Sequence, residues 1–138
     1  MSIFIKNQIS EYIQSLGIAE DWHLQVGSEH FYIGQIILDV SLFAQNRQKF
    51  YLENASEFIA LLIDTYYSDD IADNNLVVNP KHYNAGKIEV LQYLGYFNTV
   101  EDFCIGSIIK YMSRYRYKGT PLLDLKKAEY YINYLIKK

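Results

Sequence analysis

The chain of 138 residues has little cysteine and proline, with one and two residues respectively. A single cysteine, Cys104, excludes an internal disulfide, and its place in a predicted helix indicates a small filler rather than a nucleophile. No histidine has a cysteine or a second histidine at metal-ligand spacing, which argues against a structural zinc site. No apolar run reaches the roughly 18 residues needed to cross a bilayer. Residues 1–17 lack the basic start and cleavage site of a secretory signal, so we expect an intracellular protein with no membrane partner.

Charge is unevenly distributed along a chain that is otherwise rich in apolar residues and contains fourteen tyrosines. Residues 1–78 carry a net charge of −8, and residues 79–138 carry +5. An acidic half would repel a long polyanion, whereas a small anion could still enter a local basic pocket. We therefore expect a compact anionic ligand rather than long nucleic acid. The same asymmetry is compatible with homo-oligomers that assemble head to tail.

The apolar pattern of the first half predicts a small helix followed by strands. Residues 3–16 have helical periodicity, and Gly17 ends the pattern. More and less apolar side chains alternate over residues 22–26 and 50–53, and residues 31–42 are rich in β-branched and aromatic side chains. This pattern predicts an antiparallel β meander. A helix over residues 35–43 is the alternative. Asn54 and Glu57 form a possible capping pair for a helix over residues 55–67.

The second half reads as helices, so the predicted fold class is α+β with a mainly α-helical C-terminal half. A polar segment at residues 68–75 is the predicted linker. It separates an N-terminal subdomain, residues 1–77, that shapes assembly from a ligand-binding domain, residues 78–138. Predicted helices cover residues 87–94 and 101–117, the second opened by a Thr99–Asp102 capping box. Thr120 and Pro121 open the last helix.

One stripe of the helix over residues 101–117 has the chemistry of an anion site. Helical spacing predicts that one face is core and that a neighbouring stripe is polar. The core face would contain Ile105, Ile108, Ile109, Met112 and Tyr115, and the polar stripe Ser107, Lys110, Tyr111, Arg114 and Lys118. These hydroxyl, cationic and phenol groups suit phosphate oxygens beside a base. A solvated basic face is the alternative interpretation.

Several motifs in residues 78–137 occur together and in a fixed order. They are N-P-K-H-Y at residues 79–83, G-x-x-x-K-Y-x-x-R at residues 106–114, and D-L-x-K-A at residues 124–128. Together they resemble a phage-borne domain described as SaV-like, which is similar to the C-terminal part of a coliphage nucleotide kinase. The resemblance implies a nucleotide site that includes His82 and Tyr83. Asp124 could hold Lys127 one turn on, complement the N-terminus of its helix, or orient Arg114. We prefer the last role, because a tight turn joins the two helices.

Two functions follow from the resemblance and the residues. The first is capture, without turnover, of a nucleotide or of a cyclic or ADP-ribose-type signalling molecule, in the cytoplasm of an infected bacterial host. The second is a nucleoside monophosphate kinase that uses ATP and Mg²⁺. The chain has no P-loop, few carboxylates near the site, and Ser107 where the family usually carries Asn, which favours capture. No catalytic or metal-binding residue is assigned, and capture needs no cofactor. A phage protein without a ligand is the remaining alternative.

Overall fold

The computed structural model describes residues 3–68 and 89–138, and every regular element in these two ranges is helical. The chain divides into two compact units, Met1–Ser68 and Asp69–Lys138. Within the described ranges, every helix is too short or too polar to cross a lipid bilayer. The predicted linker at residues 68–75 lies outside the described residues except for Ser68, as do His82 and Tyr83.

Unit 1 contains three helices: α1 (Ile3–Ser15), α2 (Glu29–Asn46) and α3 (Lys49–Tyr66). A short 3₁₀ turn, Trp22–Leu24, lies between α1 and α2. Two residues join α2 to α3, and the first of them, Arg47, adopts a left-handed conformation with φ 57° that ends α2. So short a connection makes α2 and α3 neighbours, and they form the main packing of this unit.

The predicted β meander is wrong, because residues 29–46 form one helix. Ser28 caps this helix, and its hydroxyl accepts a hydrogen bond from the Phe31 amide at 3.0 Å. The fully buried side chains of the helix follow a 3.6-residue period: Ile33, Ile36, Ile37 and Val40. These β-branched residues favour strands locally, but packing against α3 overrides that preference. The alternative helix over residues 35–43 was the better interpretation, although too short.

The first and last parts of the predicted meander are also helical. Residues 22–24 form the 3₁₀ turn, where Trp22 is buried against the backbone of Gly34 in α2. Helix α3 begins at Lys49 rather than at residue 55, so Asn54 does not cap it. Leu52, Ala55, Ile59 and Leu62 are fully buried and repeat at three or four residues, which explains why the helix begins early. Unit 1 is therefore all-α.

Unit 2 contains α4 (Val90–Gly95), α5 (Val100–Arg114), a 3₁₀ turn (Tyr115–Tyr117) and α6 (Pro121–Lys137). Its core is formed mainly between α5 and α6. Pro121 begins α6 as predicted, in the first turn where its missing N–H is not needed. The predicted capping box is wrong, since the Thr99 hydroxyl donates to the Leu94 carbonyl at 3.1 Å instead. That bond ties the start of α5 to the end of α4.

Candidate functional site

Tyr111 of α5 contacts α6 through its ring. Its ring is buried, with 4% of the residue exposed. The ring of Tyr131 in α6 lies parallel to it, with 6.3 Å between centroids and 5° between planes. Phe103 in turn contacts Tyr131 edge-on at 5.9 Å. This row of rings fixes the position of Tyr111 relative to both helices.

Three cationic side chains surround the Tyr111 ring. The Lys110 Nζ, Arg114 Cζ and Lys127 Nζ atoms lie 4.8, 5.0 and 5.7 Å from the ring centroid. Lys110 and Arg114 flank Tyr111 on α5, whereas Lys127 comes from α6, one turn before Tyr131. Their aliphatic stems can lie along the ring while the charged ends remain near solvent. We call Lys110, Tyr111, Arg114 and Lys127 the Tyr111 cluster.

Asp124 forms an ion pair with Arg114 of this cluster. Its Oδ2 atom lies 3.4 Å from the Arg114 Nε atom, and its side chain is only 4% exposed. Neither atom has a hydrogen-bond partner within the described ranges, so the contact is an ion pair without hydrogen-bond geometry. The pair forms because the short segment between α5 and α6 brings the end of one helix to the start of the other. The structure thus brings Asp124 and Arg114 together, while the orienting role of Asp124 stays a prediction.

The cluster has an excess of positive charge. Three cations share one ring, and one carboxylate pairs with only one of them. Neither Lys110 nor Lys127 forms an ion pair with any carboxylate of the described residues. Each cation–π contact contributes about 0.5–1 kcal/mol at an exposed site, and the like charges repel one another. An anion placed among the three would relieve this repulsion and gain several charge-assisted hydrogen bonds.

The buried face of α5 is not the predicted one but is rotated about the helix axis. Ser107 and Tyr111 were expected on the polar stripe, but both are buried with the core. Ile105 and Ile109 were expected in the core and are only partly buried. Tyr111 therefore offers no open ring face for a base, although its ring contacts the three cations. Of the predicted ligand-binding residues, Lys110, Tyr111, Arg114 and Asp124 lie together, while Lys118 is exposed beyond the 3₁₀ turn.

Lys127 was not among the predicted site residues. A usable signal was present, because Asp124, Lys127 and Tyr131 are spaced by three and four residues and so share one face of α6. Once Asp124 is placed opposite Arg114, Lys127 follows one turn further along the same face. The D-L-x-K-A motif at residues 124–128 contains this lysine, which the sequence suggests only as a neighbour that Asp124 could hold.

Cys104 lies on the buried side of α5, and no part of it is exposed. Burial raises the pKa of its thiol to about 12, so the reactive thiolate is strongly disfavoured. The expectation of a buried filler is confirmed. Among residues 3–68 and 89–138, no three His, Cys, Asp or Glu side chains are grouped so that they could hold a metal ion.

Comparison with known families gives one match. Residues 77–133 match the model of DUF3310, a family described as proteins of unknown function. This range contains the whole Tyr111 cluster and Asp124, and it is less than half of the chain. The match carries no link to a nucleotide kinase domain. No curated protein and no solved structure shows significant similarity to the chain.

Proposed function

We propose that this protein binds and retains a small, phosphate-bearing ligand of the nucleotide class, with its phosphate groups at the Tyr111 cluster. The observation that carries the proposal is the convergence of Lys110, Arg114 and Lys127 on one buried ring, where Arg114 pairs with Asp124 and neither lysine pairs with a carboxylate of the described residues. Lysine ammonium groups and an arginine guanidinium are the side chains that bind phosphate most often.

The charge of the whole chain supports a compact ligand. The basic cluster belongs to a chain whose first 78 residues carry a net charge of −8, which would repel the long backbone of a nucleic acid. The resemblance to phage-borne domains favours a nucleotide-derived signalling molecule of the bacterial host as the natural ligand. On this proposal the protein captures its ligand in the host cytoplasm and does so as a homo-oligomer.

Retention rather than turnover fits the groups present at the cluster. Phosphoryl transfer requires a donor, an acceptor and Mg²⁺ to be held together, and carboxylates usually coordinate the metal. The carboxylate next to the cluster, Asp124, pairs with Arg114 instead. Incubation with ATP, Mg²⁺ and each deoxynucleoside monophosphate is therefore expected to give no diphosphate above background. Steady diphosphate formation that disappears in Lys110→Ala would restore the kinase interpretation.

Binding is tested by calorimetry with ADP and with inorganic pyrophosphate as probes. Replacing Lys127 by Ala removes one cation and leaves the Arg114–Asp124 pair intact. The lost charge-assisted hydrogen bond should weaken binding of both probes by about 1.5–3 kcal/mol, which is roughly tenfold or more. Arg114→Ala should weaken binding similarly, but it also leaves Asp124 buried without its partner, so its stability must be measured in parallel.

Lys126→Ala is the matched control. Lys126 precedes Lys127 on α6, but its Nζ atom pairs with the Glu129 carboxylate at 3.6 Å and points to another side of the helix. Its replacement should leave the affinity for both probes unchanged. Equal losses of probe affinity in Lys126→Ala and Lys127→Ala would show that binding depends only on the net charge of the protein. Absence of binding by the unchanged protein would refute a phosphate site of this kind.

A further inference from the structure

The 3₁₀ turn that follows α5 places two tyrosines in opposite environments. Tyr115 is completely buried, whereas Tyr117, two residues later, is 69% exposed. A tyrosine ring has a large apolar area and can stack on other flat groups, so an exposed ring at the end of a turn can contribute to binding. Tyr117 is also flanked in sequence by Arg116 and Lys118.

Arg116 contacts the Tyr117 ring. Its guanidinium carbon lies 5.2 Å from the ring centroid, within the range of a cation–π contact. Arg116 is itself half-buried, and its Nε atom is enclosed by the protein. The guanidinium therefore lies near one part of the ring, while 69% of Tyr117 is exposed. A tyrosine side chain has few rotatable bonds, so it loses little side-chain entropy when a planar group stacks on it.

Tyr117 follows Arg114 of the Tyr111 cluster by three residues. The intervening segment is the 3₁₀ turn Tyr115–Tyr117, which rises about 2 Å per residue. The Cα atoms of Arg114 and Tyr117 are therefore separated by roughly 6 Å along the turn. A nucleotide whose phosphates contact Arg114 could extend its base over this distance. The buried ring of Tyr111 cannot receive a base, and Tyr117 is the exposed ring next to the cations.

We propose that Tyr117 is the stacking surface for the base of the bound nucleotide, and that it makes the site prefer nucleotides over bare polyphosphates. This inference rests on the proposed function, because it places the phosphates at the Tyr111 cluster. Stacking on a tyrosine tolerates every base, since each base has a flat aromatic face. The assignment therefore concerns the class of ligand and not the identity of the base.

The experiment compares ADP with inorganic pyrophosphate, two probes that share the diphosphate and differ in the nucleoside. Tyr117→Ala should weaken ADP binding by about tenfold, as expected for the loss of one stacked base, and should leave pyrophosphate affinity unchanged. Tyr117→Phe and Tyr117→Trp should both retain ADP affinity because each preserves an aromatic face. Binding is measured by calorimetry on the full chain.

Tyr96→Ala is the matched control, because Tyr96 is 63% exposed in the same unit and residues 89–109 contain no Lys or Arg. Tyr96→Ala should change neither the ADP affinity nor the pyrophosphate affinity. Unchanged ADP binding in Tyr117→Ala would overturn the stacking assignment, and so would an equal loss for both probes, which would mean that Tyr117 only supports the cations. If Lys127→Ala still weakens both probes in those cases, the proposed phosphate site stands without the stacking surface.

Discussion

Replacing Asp39 by Asn should change how the stability of unit 1 depends on pH. Asp39 lies in the middle of α2, is only 3% exposed, and has fully buried neighbours along its helix, including Ile36 and Val40. Burial raises the pKa of its carboxyl group from 3.8 to about 6, partly opposed by a hydrogen bond from the Gln35 side chain. Its Oδ2 atom has no hydrogen-bond partner in the described part of the chain.

The raised pKa fixes the sign and size of the effect. The folded state keeps the Asp39 proton up to about pH 6, whereas the unfolded chain loses it near 3.8. Between these values the folded state binds more protons, so its stability falls as pH rises. About two pKa units correspond to roughly 3 kcal/mol of destabilisation, complete above about pH 6 and absent well below pH 4.

The assay is urea unfolding across the range from about pH 4 to pH 8, followed by the fluorescence of Trp22. This residue is the one tryptophan of the chain and is buried in unit 1, so it reports on that unit. The Asn amide does not ionise, although its new donors add a cost that does not vary with pH. The free energy of unfolding of Asp39→Asn relative to the unchanged protein should therefore rise by about 3 kcal/mol over this range.

Asp64→Asn serves as the control, since that carboxylate is exposed on α3 and its replacement should not produce this rise. A difference between Asp39→Asn and the unchanged protein that stays constant with pH would refute the reasoning. It would mean that the Asp39 carboxyl group reaches water in the folded state.

Three further predictions concern packing and reactivity. Gly34→Ala should destabilise unit 1 by about 1–3 kcal/mol in urea unfolding, because a Cβ atom there would lie 2.5 Å from Trp22 ring atoms. Gly106→Ala, also inside a helix but with no described atom within 4 Å of its Cβ position, should instead stabilise the protein by about 0.5–1 kcal/mol. The Cys104 thiol should react with iodoacetamide only after unfolding, because burial suppresses its thiolate, and rapid alkylation of the folded protein would contradict the buried position.

The candidate site could be predicted in part from local signals. Gly119, Thr120 and Pro121 mark the break between two helices, and that break brings Arg114 and Asp124 together. The rotation of α5 about its axis could not be predicted, because its apolar residues are spread over more than one face. Packing against α6 selects the face containing Cys104 and Tyr111, and this choice covers the ring that the sequence presents as a ligand contact.

The sequence by itself determined the unequal charge of the two halves, the helical character of residues 100–137, and the pairing of the helix ends around Asp124. These depend on composition, on helix-breaking glycine and proline residues, and on contacts close along the chain. Only the tertiary structure decided that residues 29–46 form a helix, because their β-branched side chains gain more by packing on α3 than local preference costs. It also placed Lys127 beside Tyr111, since a contact between two helices depends on how each is rotated about its own axis.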